Sequence, residues 1–124
     1  MSELVFVYGT LRRGEVNHHL MCGAQYCGDH VTLPRYRMSH LGAYPGVVEG
    51  GGTAITGEIY RVNGQQFRQL DRLEDYPRLY NRKLIPTPWG SAWIYIYRGG
   101  RNGRSVIPGG NWLGQQRPGP FSLY

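Results

Sequence analysis

Lysine is nearly absent from this chain of 124 residues: of its 14 basic residues all but Lys83 are arginine. Cysteine is almost as scarce. Cys22 and Cys27 are too few for a secreted disulfide scaffold, and their spacing is not that of a redox Cys-x-x-Cys pair. They read as two reduced thiols, with Cys22 packed. No run of about 18 apolar residues exists, which excludes a transmembrane helix and leaves no membrane partner to expect. The opening MSELVFVYGT has no basic leader and too short an apolar run for a signal peptide, so the expectation is a cytoplasmic protein.

Glycine, in contrast, is plentiful. The 19 Gly and 8 Pro break the chain too often for a helical bundle and favour short strands joined by turns. Hydrophobic residues at 40%, with 10 Tyr, 3 Trp and 3 Phe, supply a core and speak against disorder. The length suits one domain, read as residues 1–113 followed by a tail over 114–124. Lys+Arg 14 against Asp+Glu 8 gives +6, which leaves an anionic small molecule or nucleic acid open as partner. Arg98-Gly99-Gly100 with Gly103-Arg104 looks faintly like a single arginine-glycine box. The arginines are otherwise spread along the chain, which favours a solvated basic surface over a nucleic-acid site.

The apolar run Leu4 to Tyr8, ending in Gly, reads as a buried first strand, and Gly9 to Glu15 as a turn-rich loop. A short helix over Asn17 to Met21 closes that loop. Strands are expected at Tyr26 to Leu33, Tyr36 to His40, Val47-Val48 and Thr53 to Val62. The one longer helix spans about Gln65 to Glu74, capped by Asn63 and stopped before Pro77. Tyr80 to Pro86 and Ser91 to Tyr97 form a hairpin around Pro88-Trp89-Gly90. Beyond Tyr97 the chain is rich in Gly, Pro and Arg, with Val106-Ile107 and Trp112-Leu113 as apolar anchors of a docked segment before the tail.

Two places carry chemistry. Tyr8-Gly9-Thr10-Leu11 lies where a buried strand ends in a tight turn, which exposes successive backbone N–H groups able to hold an anion or a developing oxyanion. An ordinary strand-exit turn explains the same residues. Gly9 to Gly14 has the Gly-x-x-x-x-Gly spacing, but Glu15-Val16 follows where a phosphate loop needs Lys and Ser/Thr, so a nucleoside triphosphate site is rejected. The second place is Glu74. With Phe67, Leu70 and Leu73 on the buried helix face, Glu74 falls about 20° from Phe67 around the wheel and points toward the core. Burial raises a carboxyl pKa toward the range of a general acid or base. Asp71 and Asp75 fall nearer the polar side with Arg68 and Arg72. The competing reading pairs Glu74 with Arg78 or Arg82. His18, His19, Cys22, Cys27 and His30 match no zinc spacing, so no metal is expected, and His18 is assigned to holding the first loop.

Val5-Phe-Val-Tyr-Gly-Thr-Leu-Arg-Arg-Gly14, followed by Asn17-His18, resembles the opening motif of the gamma-glutamylcyclotransferase-like superfamily, most closely its gamma-glutamylamine branch and small bacterial relatives. Tyr44-Pro45, Gly57 to Val62, Leu70 to Glu74 with Tyr80-Asn81-Arg82, and Gly90 to Tyr97 resemble later family segments in the same order. The resemblance implies an α+β fold, a small mixed β-barrel with a few short helices packed outside and a cavity at one end. It implies a reaction in which the α-amine of a gamma-glutamyl compound attacks its own gamma-carbonyl, giving 5-oxoproline and a released amine or amino acid. In it Glu74 is the general acid/base, Tyr8, Gly9, Thr10 and Leu11 bind the glutamyl group, and Tyr80 and Arg82 support or bind a carboxylate. An intramolecular cyclisation requires no cofactor. The alternative is a non-catalytic module on the same fold, binding a small carboxylate in the cavity or nucleic acid through its basic segment.

Overall fold

The computed structural model describes residues 2–99 and 105–114. Its elements are β1 (Ser2–Val7), β2 (Gln25–Val31), β3 (Tyr36–His40), β4 (Pro45–Glu49), β5 (Thr56–Asn63), α1 (Gly64–Leu73), β6 (Tyr80–Ile85) and β7 (Ala92–Tyr97), with 3-10 turns at His18–Met21 and Trp112–Gly114. Five strands form one sheet in the order β2-β5-β1-β7-β6, and β3 and β4 form a separate two-stranded sheet. β1 pairs antiparallel with β5, from Ser2 opposite Asn63 to Val7 opposite Glu58, and parallel with β7.

The apolar run of β1 is buried on both faces, which is why it does not alternate with polar residues. Leu4 and Phe6 join Met38, Val47, Ile94, Ile107 and Trp112 in one cluster, while Val5 and Val7 join Tyr60, Leu70, Tyr80 and Tyr95 in the other. The first cluster binds the β3–β4 hairpin and the docked segment to the sheet. Ile107 and Trp112 are buried there, and His40, Ile107 and Thr56 N–H groups donate to Ser105, Met38 and Gly110 carbonyls. The second cluster receives α1, whose start is fixed by a reciprocal capping box. The Gln66 amide donates to Asn63 Oδ1 at 2.7 Å, and the Asn63 amide donates to Gln66 Oε1 at 3.2 Å. Glu74 is the C-cap, and Asp75 follows in the left-handed region at φ 52°.

The barrel expected from the resemblance is not formed. Closure needs a continuous ladder between the two edge strands, and none joins β2 to β6 among the described residues. The sheet curls until the Trp89 ring in the β6–β7 turn lies on Gly28 of β2, where a Cβ would stand 2.5 Å from it. Side-chain packing thus fills the gap that hydrogen bonds would close. The hairpin is tied to the rest of the chain by single bridges, Tyr36 to Thr53 and Ser39 to Val106. The helical content is also smaller than expected, with one α-helix and two 3-10 turns among the described residues. No helix among them is long and apolar enough to cross a membrane.

Candidate active site

Where β1 ends, Gly9 seats against the ring of Pro45, the first residue of β4. A Cβ on Gly9 would stand 2.8 Å from two carbons of that ring, so the close approach requires glycine. The carbonyls of the next turn are all engaged. Arg12 N–H donates to Gly9 O at 3.1 Å, Asn17 N–H to Thr10 O at 2.9 Å, and His18 Nδ1 lies 2.9 Å from Leu11 O. Asn17 also donates through Nδ2 to Thr10 Oγ1 at 3.0 Å. With the carbonyls turned into the protein, the N–H groups of Gly9, Thr10 and Leu11 donate to no acceptor among the described residues. His18 holds the loop, as assigned.

Beside this loop lies a cavity of about 250 Å³, lined by Tyr8, Gly9, Thr10 and Leu11 together with Glu74, Tyr80 and Tyr95. Val16, Tyr44 and Leu73 are exposed apolar residues that also line it. Leu73 was expected on the buried helix face with Phe67 and Leu70. Of the three only Leu70 is fully buried, because the last turn of α1 ends against a cavity rather than against another element.

Among the described residues Glu74 has no cation. Arg78 is taken by Asp75, at 3.2 Å, and Arg82 by Asp71. No hydrogen bond or ion pair reaches the Glu74 carboxylate among the described residues. Burial, and secondarily the like charge of Asp71, push its pKa up to about 7. Buried Tyr8, Tyr80 and Tyr95 have their own pKa values raised, first by burial and further by the Glu74 charge among their neighbours. At neutral pH they are therefore phenols.

Six of the seven predicted site residues come together around the cavity: Glu74, Tyr8, Gly9, Thr10, Leu11 and Tyr80. Arg82 does not line it. Its Nε and a terminal nitrogen grip the two Asp71 oxygens at 3.0 and 3.2 Å, and its guanidinium stacks against Phe67, Tyr76 and Trp93 at 4.5, 4.2 and 4.5 Å. Asp71 was placed on the polar flank of the helix. The β6–β7 hairpin covers that flank, since Arg82 and Tyr95 are cross-strand partners and both reach Asp71, Tyr95 Oη donating at 2.8 Å.

A second charged centre was missed in the sequence. Glu58, 1% exposed, receives Arg12 Nε at 3.2 Å, Arg13 N–H at 3.1 Å and Tyr60 Oη at 3.0 Å. Arg12, 6% exposed, also donates to Asn111 Oδ1 at 2.9 Å and Thr56 O at 3.4 Å. This pair ties the loop to β5 and to the docked segment. Its only sequence signal is a lone acidic residue within the apolar strand Gly57 to Val62 and a basic residue within the Gly9 to Glu15 loop.

Cys22 is exposed rather than packed, because the 3-10 turn ends at Met21 and turns the next residue outward; Cys22 and Cys27 are both free thiols. No three His, Cys, Asp or Glu side chains converge as metal ligands among the described residues. Most of the arginine-glycine box, residues 100–104, and the tail from residue 115 lie outside the described residues.

Residues 5–114 match the model of the family described as gamma-glutamyl cyclotransferase, AIG2-like. A Vibrio cholerae protein, named provisionally as a gamma-glutamylcyclotransferase, is 49% identical over 112 residues, 90% of this chain and 96% of its own. The gamma-glutamylcyclotransferase family protein YtfP of Escherichia coli is 42% identical, covering 91% and 98%. The solution structure of Escherichia coli ytfP superimposes with a TM-score of 0.74 at 39% identity, over 92% of this chain and 99% of that one. The crystal structure of a mouse AIG2-like protein gives 0.81 at 28% identity, over 98% and 93%.

Proposed function

The chain belongs to the gamma-glutamyl cyclotransferase, AIG2-like family, and from that membership we propose that it cyclises gamma-glutamyl compounds to 5-oxoproline at the cavity beside Glu74. The observation that carries this reading is a carboxylate with a pKa pushed up to about 7 and no partner among the described residues, lining the same cavity as three backbone amides that donate to none of those residues.

The chemistry follows from these parts. The Gly9 to Leu11 amides hold the glutamyl group and offer hydrogen bonds where negative charge develops on the carbonyl oxygen. Glu74 takes a proton from the α-ammonium, and the freed amine attacks the gamma-carbonyl carbon, forming the lactam C–N bond. The tetrahedral centre collapses as the bond to the leaving nitrogen breaks. Two protons pass in turn through Glu74 from the α-nitrogen to the leaving amine, which departs as its ammonium form. Both reacting groups belong to one molecule, so the cavity contributes mainly by folding the substrate into its reactive conformer. Arg82 acts at a distance, by holding Asp71.

Incubation with gamma-glutamyl-lysine, gamma-glutamyl-alanine and glutathione, followed by assay of 5-oxoproline, tests the reading. Glu74→Gln should lower the rate on the accepted substrate by about 10²–10⁴-fold. Full activity in that variant would remove Glu74 from the mechanism. Absence of product from every compound, with salt-dependent binding of single-stranded nucleic acid instead, would favour the non-catalytic module.

A further inference from the structure

The proton inventory of the cavity tyrosines points to a role that their position alone does not reveal. A phenol has one O–H to donate and can accept through its oxygen. Tyr80 Oη donates to Pro45 O at 2.7 Å, and Tyr95 Oη donates to Asp71 Oδ1 at 2.8 Å. Both protons are given to protein acceptors, a backbone carbonyl for Tyr80 and, for Tyr95, a carboxylate oxygen that also receives Arg82 Nε. Among the described residues no group donates to either phenol oxygen. Tyr8 differs. Its hydroxyl donates to Tyr95 O at 2.8 Å, while the Val47 backbone amide supplies a bond to its oxygen, so it is engaged in both directions.

Resting on the cyclotransferase reading above, we propose that the Tyr80 and Tyr95 oxygens, together with the Glu74 carboxylate, form a wall of acceptors that recognises the substrate's α-ammonium. An ammonium has three N–H donors, and this wall offers it acceptors alone. The amides of Gly9, Thr10 and Leu11, which line the same cavity, have the complementary character: they are donors suited to a carboxylate or carbonyl oxygen. A gamma-glutamyl group carries both kinds of partner on the same α-carbon, so the acceptor set and the donor set together fix which way round it enters. The assignment also changes what Tyr80 is for. Its only proton is already given to Pro45, so it accepts from an ammonium rather than donating to a carboxylate. Asp71 is the positioning residue: by taking the Tyr95 proton it turns the Tyr95 oxygen into an acceptor, and Arg82 holds Asp71 in place.

The test compares two ligands that differ only in the amine, N5-methyl-L-glutamine and N-methylglutaramate, titrated at pH 7 by NMR with 5-oxoproline release monitored in parallel. The wild-type protein should bind the amino compound at least about tenfold more tightly, the equivalent of one or two charge-assisted hydrogen bonds. In the Tyr80→Phe/Tyr95→Phe variant that ratio should fall to within about twofold while the affinity for N-methylglutaramate is retained, which also reports that the cavity is folded. A ratio unchanged in the double variant overturns the assignment and leaves the cyclotransferase reading standing. Failure of both ligands to bind the wild-type protein overturns the gamma-glutamyl reading and this inference with it. If the double variant does not fold, Tyr80→Phe alone decides by the same ratio: a fall supports the acceptor role, and an unchanged ratio overturns it for Tyr80.

Discussion

Asp71 receives both arms of the Arg82 guanidinium, at 3.0 and 3.2 Å, and that pairing leaves Glu74, three residues further along the same chain, without a cation among the described residues. Like charge from Asp71 and burial act together on Glu74. Asp71→Asn removes the repulsion and leaves the guanidinium with no anionic partner, and both changes lower the Glu74 pKa. The ascending limb of log kcat/KM against pH, expected near pH 7 in the wild-type protein because the base must be deprotonated, should move to lower pH. A profile that stays in place in this variant would disconnect Asp71 from the base.

Glu74 should also govern stability, with a sign opposite to that of an ion-paired carboxylate. Its folded pKa, about 7, lies above its ordinary value of 4.5, so the folded state binds the proton more tightly. Below pH 4.5 the group costs nothing. As pH rises to about 7 the penalty grows toward roughly 3 kcal/mol and stays there. Glu74→Gln should therefore be more stable than the wild-type protein in urea at pH 8 and equal to it at pH 4. Equal midpoints at both values would show that the carboxyl is solvated.

Gly9→Ala places a methyl where the Pro45 ring stands. The strand before it and the hydrogen bonds after it remain, so the strain falls on the register between the loop amides and the cavity. The expected result is a loss of about tenfold or more in kcat/KM, with stability lowered by only about 1–2 kcal/mol. Unchanged kinetics would show that the amides are not used.

Arg12→Met leaves the Glu58 carboxylate buried without its closest cation. Removing one partner of such a pair costs about 3–5 kcal/mol, measurable as a fall in the urea midpoint. Arg12→Met combined with Glu58→Gln should recover part of that loss, because no buried charge then remains unpaired. If the double variant is no more stable than the single one, the loss lies in packing around Arg12 rather than in the charge.

Local rules made much of this molecule legible in the sequence. The unbroken apolar run Leu4 to Val7 meant a buried strand, Asn63 marked the helix start, and the angular position of Glu74 turned a carboxylate toward the interior. These depend on neighbours within a few residues, where period, cap and turn chemistry act directly. Tertiary structure decided what depends on distant partners. Whether Glu74 would pair was settled by Asp71 capturing Arg82 across 11 positions of chain. That Arg12 and Glu58 would meet inside the core, and that the sheet would curl onto Trp89 without a closing ladder, followed from packing between segments far apart in sequence. The direction of each tyrosine proton belongs to the same class, since Pro45 O and Asp71 Oδ1 are acceptors only because the fold sets them there. Side-chain pattern determined which residues face inward; the competition among buried donors and acceptors, which only the assembled chain poses, determined what they do.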